Sequence, residues 1–589
     1  MKKILAGFIL MIGLLGSASA YSSAGAIWLL IPVSPTLNGM GEIGVCLSSD
    51  DIYAGYFNPA NGIYGYRGLS FSYSGYKTSW LPGLVFDIDL YHDVMGLNLL
   101  PERFPLQITL SKYKTVLDFG EQIRIDEFGN ELGTYKSSMT ADAYSLAARY
   151  YDTIFRIPFD ISIGATKKKV IQDLVPDEYL DEGSGTSRNI FYDAGFLFSL
   201  PLKFNINDSY LLSVTPAGGY SVSNIGNKIV FILAEMVDPT PKCARVGVSL
   251  TANLSMSNGL KLIEYRQGRA ASDVLAKTSN PPLKYQSGLG DIDFVKNVLL
   301  SKGDEEVETS WGQEITVLDF YTLRLGRRLD ISGGVHLLET GHGFHSAGLL
   351  HLLGYMTNIG LFNTISDYLT VSYNYSSWAE SRSHVLTGTK FSSWTIALNN
   401  IDRIFKPAKP GESKYVRKDN PLSIIGGMNF SDIRIKDDDL RKEADIKMKT
   451  GFKIGIESRF GPFIAGMAFN QRGARYEIWN YLDVKDTYNY FSFYGFVSYP
   501  VMKRLRIFSG VEAGDCISRK AVLDDDSYDV PSININWDYG IRAGADVMIF
   551  KTIGLRTSYY HGMNYIFEYT DIITNCKNRS IELSLTYKL

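Results

Sequence analysis

The ten residues that close the chain, Ser580-Ile581-Glu582-Leu583-Ser584-Leu585-Thr586-Tyr587-Lys588-Leu589, alternate without a break. In an extended strand successive side chains point to opposite sides, so Ile581, Leu583, Leu585, Tyr587 and Leu589 share one face and Ser580, Glu582, Ser584, Thr586 and Lys588 the other. One face suits lipid and the other a polar lumen, the pattern of a strand in a closed transmembrane barrel. A terminal amphipathic strand is also the signal expected of a barrel handed to outer-membrane assembly, with Leu589 here in place of the usual Phe.

The same period recurs upstream. Leu69, Phe71 and Tyr73 alternate with Ser70, Ser72 and Ser74, and Leu369, Val371, Tyr373 and Tyr375 alternate with Thr370, Ser372 and Asn374. Further segments of this kind run from Tyr66 to the C-terminus, separated by Gly, Asn, Asp or Ser clusters. After Ala20 no stretch of eighteen uninterrupted apolar residues occurs, which leaves a soluble periplasmic β-protein or a closed barrel. Composition favours the barrel: 38 Tyr against 7 Trp, with 55 Gly, suits short strands whose aromatic rings sit at a membrane interface.

The N-terminus reads as a secretory signal, with Lys2 and Lys3 before the apolar run Ile4 to Leu15 and a small-residue cleavage site at Ala18-Ser19-Ala20. The mature chain is expected to begin near Tyr21, and no Cys follows the site as a lipoprotein would require. A net charge of −3 offers no footprint for nucleic acid. Cys46, Cys243, Cys516 and Cys576 lack metal-ligand spacing; Cys516 and Cys576 are either a disulfide or isolated thiols.

Alternation is lost in FKPAKPGESKYVRKDNP, Phe405 to Pro421, which has the composition of a linker. The reading is therefore all-β: signal 1–20, an N-terminal plug segment 21–65, an antiparallel transmembrane barrel 66–404 of about 14 strands, linker 405–421, and a small barrel 422–589 of about 8 strands. Clear segments of the small barrel are Phe452 to Arg459, Phe463 to Asn470, Phe491 to Tyr499, Leu505 to Ala513 and Tyr539 to Ile549. One very wide barrel built from both halves is the alternative that the charged, Pro-bearing linker disfavours. A longer polar insertion is expected at Ile171 to Arg188, and short helices, in loops or in the lumen, near Ile229 to Val237 and Phe294 to Lys302.

Several motifs invite chemistry and carry little. Gly39-Met40-Gly41-Glu42-Ile43-Gly44 matches G-x-G-x-x-G, without the preceding strand, following helix and acidic partner of a dinucleotide site. His336, His342, His345 and His351 cluster around Glu339, but their spacing does not set them on one strand face, and Gly341 and Gly343 suggest a turn. Asp437 to Asp439 and Asp524 to Asp526 lack the spaced ligands of a calcium loop and read as solvated loops. No nucleophile elbow, P-loop or triad motif is present, so neither a catalytic residue, a metal nor a cofactor is expected.

The stretch GMGEIGVCLSSDDIYAGYFNPANGIYGYRGLSFSY, Gly39 to Tyr73, orders Gly-Met-Gly, the pair Asp50 and Asp51, Asn58-Pro59-Ala60 and then a Tyr/Ser-rich strand. In that order it resembles the start of FadL-type barrels and their PorV and PorQ relatives. Glu314 to Gly326 is similar to a late strand pair of PorV-like proteins, and the segment from Leu422, opening on Gly426-Gly427-Met428-Asn429-Phe430-Ser431, resembles the small barrel of PorT-like proteins.

The resemblance implies that residues 21–65 fold into the barrel as a plug, with Gly39, Gly41, Gly44, Asp50, Asp51, Asn58, Pro59 and Ala60 in its plug or gate. From the residues alone, Pro59 and Asn58 make a rigid turn or helix start. The resemblance further implies a non-enzymatic protein of the cell outer membrane, in contact with its lipid, handling exported protein cargo with secretion components of a type IX-like pathway. The alternative it implies is a FadL-like channel for long-chain fatty acids or another hydrophobic ligand.

Overall fold

The computed structural model describes residues 24–65, 68–82, 88–100, 105–125, 128, 130–154, 157–176, 185–208, 210–230, 237–256, 259–277, 284–357, 360–380, 386–404, 422–435, 444–460, 462–478, 482–523, 526–530, 538–565 and 576–588. The signal, the linker 405–421 and Asp437 to Asp439 lie outside these, as do Asp524 and Asp525. The chain divides into two compact units, Met1–Val416 and Arg417–Leu589.

In the first unit fourteen strands follow one another as an antiparallel meander: β1 Ser70–Ser79, β2 Asp89–Asn98, β3 Leu106–Ile125, β4 Glu131–Ile154, β5 Ile157–Asp173, β6 Thr186–Ser199, β7 Tyr210–Gly226, β8 Cys243–Met256, β9 Lys261–Val274, β10 Glu308–Val317, β11 Tyr321–Asp330, β12 Val335–His345, β13 Leu369–Glu380 and β14 Lys390–Leu398. β14 returns to β1 in the register Phe71↔Leu398 to Gly75↔Trp394, which closes the ring and leaves these strands no open edge. The alternation read from the sequence is the inside–outside alternation of this wall: Ser70, Ser72 and Ser74 are buried in the lumen while Phe71 and Tyr73 face outward.

The second unit is an eight-strand meander: β15 Leu422–Ile435, β16 Ala444–Phe460, β17 Phe463–Ile478, β18 Leu482–Pro500, β19 Leu505–Leu523, β20 Asp538–Met548, β21 Ile553–Gly562 and β22 Cys576–Lys588. It closes between β15 and β22, from Ser423↔Lys588 to Ile435↔Cys576. Ile581, Leu583, Leu585 and Tyr587 point outward, and Ser580, Glu582 and Ser584 are buried inside.

Eight strands leave a lumen that side chains fill, and here they fill it with paired charges. Arg542 bridges Glu512 and Glu582 (2.7 Å to the latter), Lys453 also reaches Glu582 at 2.8 Å, and Arg556 joins Glu457 to Asp546, each at 2.6 Å. Arg472, fully buried, pairs with Glu512 and Asp538.

Several expectations are corrected. The four histidines do not share a turn: His336, His342 and His345 lie on β12 and His351 in a helix, Ser346–Thr357, that a second helix, Gly360–Tyr368, accompanies. Gly341 and Gly343 are inward strand positions where a Cβ would crowd the neighbouring plug and Arg324, which is why glycine there does not mean a turn. Ile229 and Val230 pair with Val237 and Asp238 as a short β-ladder rather than a helix, as suits a β-branched pair with one side chain buried and the next exposed. Ile171 to Asp173 and Thr186 to Arg188 belong to β5 and β6, so that insertion is shorter than expected. Phe294–Leu299 is helical as expected, a single π-helical turn. All four cysteines are buried free thiols, which settles Cys516 and Cys576 as unpaired.

Candidate functional site

Residues 24–65 run through the larger ring from the end carrying the longer loops, where the Gly25 amide donates to Pro239 O at 2.8 Å, to the end where β1 begins. Two of their short helices start by the same device. Ser34 accepts from Leu37 N at 2.9 Å with Pro35 at the first helical position, and Asn58 accepts from Ala60 N at 3.0 Å with Pro59 in that place. Asn61 holds the segment together by accepting from Ser49 N and donating to Gly44 O and Leu47 O.

The wall is built to receive this segment. Eight consecutive strands, β5 to β12, each set one glycine against it: Gly164, Gly195, Gly219, Gly247, Gly268, Gly312, Gly326 and Gly341. A methyl group at these positions would meet, in the same order, Pro59, Asn58, Val45, Cys46, Ile43, Met40, Gly41 and Gly39. As the wall advances strand by strand, the contacts move back along the plug in steps, from 58–59 through 43–46 to 39–41. The glycines are neighbours in register, Gly164↔Gly195, Gly219↔Gly247, Gly268↔Gly312 and Gly312↔Gly326, and so form a belt. Without Cβ atoms the plug comes close to the wall: its backbone meets Gly164, Gly219, Gly312, Gly326 and Gly341, and the Asn58, Cys46 and Ile43 side chains meet Gly195, Gly247 and Gly268.

This gives the sequence-singled residues their places. Gly41 has φ +65° and its Cβ would overlap the Trp311 carbonyl, so it needs glycine on both counts. Gly39 abuts the Gly341 backbone and Gly44 packs on Leu37 and Phe57. The Asn58 amide donates to Val45 O within the plug and to Phe196 O of β6, at 2.8 and 3.0 Å. Ala60 is fully buried beside it. Asp50 and Asp51 diverge: Asp50 faces Arg266 of β9 at 3.3 Å, while Asp51 accepts from Ser34 Oγ and from Tyr53 N.

Burial pushes the Asp51 carboxyl up to about 6, against the pull of its Ser34 hydrogen bond. Burial also acts upward on Asp50, but Arg266, His345 and Lys261 outweigh it and hold that carboxyl below the usual range. Glu42 is raised by burial although Arg328 lies 2.9 Å away.

Sequence reading missed the wall's half of the site. Ser221 Oγ donates to Phe57 O, Ser249 Oγ to Cys46 O, Tyr76 OH to Val33 O, and Trp28 Nε1 to Gln172. Arg266 also pairs with Glu264 and Glu314, and Arg324 with Glu314 at 2.6 Å. At the loop mouth Trp28, Leu29 and Ile31 sink into an apolar layer that includes Trp80, Trp378 and Phe391.

Small cavities lie beside the plug. One of about 30 Å³ lies between Trp28, Tyr56, His92 and Lys168, and one of about 70 Å³ between Leu30, Glu42, Trp80 and Arg328. Both fall well short of the roughly 300–1,000 Å³ of a small-molecule site. Among the described residues no group of three or more His, Cys, Asp or Glu could hold a metal ion, and no helix is long and apolar enough to cross a membrane.

Two closed antiparallel rings, apolar outside and polar or plugged inside, define the class: this is an outer-membrane β-barrel protein. No family model and no curated protein matches the chain. Among solved structures it is similar to neisserial surface protein A, with 12% identity over 29% of this chain and 97% of that one at a TM-score of 0.21. It is also similar to the FrpB iron transporter of Neisseria meningitidis, with 9% identity over 89% and 81% and a TM-score of 0.24. CdiB from Acinetobacter baumannii gives 8% identity over 88% and 60%, also at 0.24. At these scores the likeness adds nothing to what the strand topology establishes.

Proposed function

We propose that this protein acts through its surface rather than through a pore, handling exported protein at the outer membrane as the PorV-like resemblance implies. The observation that carries this reading is the seating of the plug, held in close contact with a glycine on each of eight successive strands. A segment so held serves as a permanent stopper, and Gly39, Gly41, Asn58 and Pro59 act as its seat. The second lumen, crossed by buried ion pairs, offers no path either. What is left for function is the outer wall and the loop end, which faces the cell exterior on the rule that barrel turns are short on the periplasmic side.

The test is site-specific photo-crosslinking in living cells from Ser332 and Tyr285, on the loop-end connections β11–β12 and β9–β10. Adducts with exported proteins are expected. Absence of adducts together with a fatty-acid-sized mass retained in native mass spectrometry would move the assignment to a hydrophobic transporter. One observation favours that second reading: Trp28, Leu29 and Ile31 occupy the apolar layer at the mouth, where an apolar ligand would displace them.

A further inference from the structure

The connection between β9 and β10 is the longest in the larger unit, and its described part from Ser287 to Val307 lies along the wall. Ser249 and Gly247 of β8 meet the plug, so Val246 and Val248 point out of the barrel; Gly268 and Gly326 place Ala271, Arg269, Leu329 and Ile331 outward by the same alternation. These outward residues are what the connection covers. Ile292, Val298 and Val307 pack with Val246, Val248 and Ala271, Gly303 lies against Leu329 and Ile331, Arg269 donates to Leu299 O, and Tyr220 OH donates to Gly288 O at 2.9 Å.

The covering segment is tightly closed on itself. The Asp293 carboxylate accepts from Val295 N and Lys296 N at 2.9 Å, capping the helical turn Phe294–Leu299. At its other end Leu300 N donates to Val295 O and Lys302 N to Lys296 O, both at 3.0 Å, and Asn297 Nδ2 donates to Lys302 O at 2.9 Å. Lys296 Nζ reaches Asp304 at 2.9 Å, and Asp304 also accepts from Glu306 N and Val307 N. While Asn297 and Val298 are buried against the wall, the opposite side presents Phe294, Val295, Leu299 and Leu300, with Val295 58% and Leu300 56% exposed.

We propose that this connection is a lipid-facing flap whose Phe294, Val295, Leu299 and Leu300 sit among the lipids of the leaflet nearest the loop mouth. Three observations choose lipid as the occupant. The flap lies on the wall's outer side, the apolar patch continues the outward row that includes Leu250 and Ile315, and backbone groups at both ends of the turn are satisfied internally, which a loop in water does not require and one against hydrocarbon does. Lys302, exposed just beyond the patch, has a stem long enough to place its ammonium group at headgroup level.

The inference rests on the chain spanning a membrane, and the test separates the two. Val295→Cys and, lower on β8, Leu250→Cys are each labelled with an environment-sensitive fluorophore in the full chain, reconstituted into phosphatidylcholine vesicles. The four native thiols are buried, and labelled wild type gives the background. The flap predicts that nitroxide-labelled lipid quenches the probe at 295, shallow nitroxides most, and that aqueous iodide does not. Iodide quenching at 295 with lipid quenching at 250 overturns the flap alone, as does a probe at 295 that neither quencher reaches, which would mean a protein cover. Loss of lipid quenching at 250 overturns the membrane reading and the flap with it.

Discussion

At Gly312 a single methyl group would overlap the Met40 carbonyl oxygen, and no rotamer change relieves a clash with backbone. Gly312→Ala is expected to cost at least about 1–3 kcal/mol in plug seating, whereas Gly218→Ala, whose Cβ meets nothing nearer than Gly247 O at 3.7 Å, is expected to be neutral. The reporter is Cys46, fully buried and with its thiol pushed up by burial to about 12: maleimide labels it in the Gly312→Ala protein and leaves it unmodified in wild type and Gly218→Ala. Equal protection of Cys46 in all three would contradict the belt. Asn58→Asp keeps the shape but cannot donate to the Val45 and Phe196 carbonyls, and leaving those acceptors unpaired is expected to cost about 1–3 kcal/mol each. A urea midpoint unchanged from wild type would remove Asn58 from the seat.

Asp51 gives the plug a pH dependence with a definite sign. Its folded carboxyl titrates near 6 against an ordinary 3.8, so its contribution is complete below about 4 and is lost as pH rises through about 6. Asp50 has the opposite shift, and its contribution is lost only as pH falls below the ordinary carboxylate range. Urea midpoints measured from about pH 4 to 7 should fall with pH in wild type and fall less steeply in Asp51→Asn, Glu42 supplying a slope of the same sign in both; an identical slope in both would sink the assignment.

Among the elements, strands were the legible part, because their period of two is local. Ser580 to Leu589 states which side faces out with no reference to the rest of the chain, and β22 follows it. The belt was not legible: Gly268 and Gly312 are neighbours only through a register that brings together residues far apart in the chain, and a lone strand glycine reads merely as a weak position. The same holds for the small barrel, where Glu512, Arg542 and Glu582 appear in sequence as unremarkable polar members of an alternation. The covering loop was hidden for a third reason, since the partners of Val298 lie on strands whose outward face was expected to meet lipid.

The two kinds of ion pair in the small barrel differ in weight. Arg542→Ala leaves Glu512 and Glu582 short of a buried partner and is expected to cost about 3–5 kcal/mol, while Arg579→Ala breaks a half-exposed pair with Asp432 worth about 0–1 kcal/mol. Heat-modifiable mobility on gels, followed against urea, reads both; similar shifts would contradict the burial that separates them.

As a whole, the molecule is two membrane-type rings, one holding its own N-terminal segment and the other crossed by paired charges, and the proposal is that neither conducts. A sealed barrel is an odd channel and a reasonable scaffold, which ties the plug's seating to the proposal that loops and outer wall meet the protein's partners. The most direct test of this account is conductance across planar bilayers, comparing the intact chain with one lacking residues 24–65, both first shown to be folded by heat-modifiable mobility. The account predicts silence from the intact chain and discrete current steps once the plug is removed; steady current from the intact chain, or a folded plugless barrel that stays closed, would contradict it.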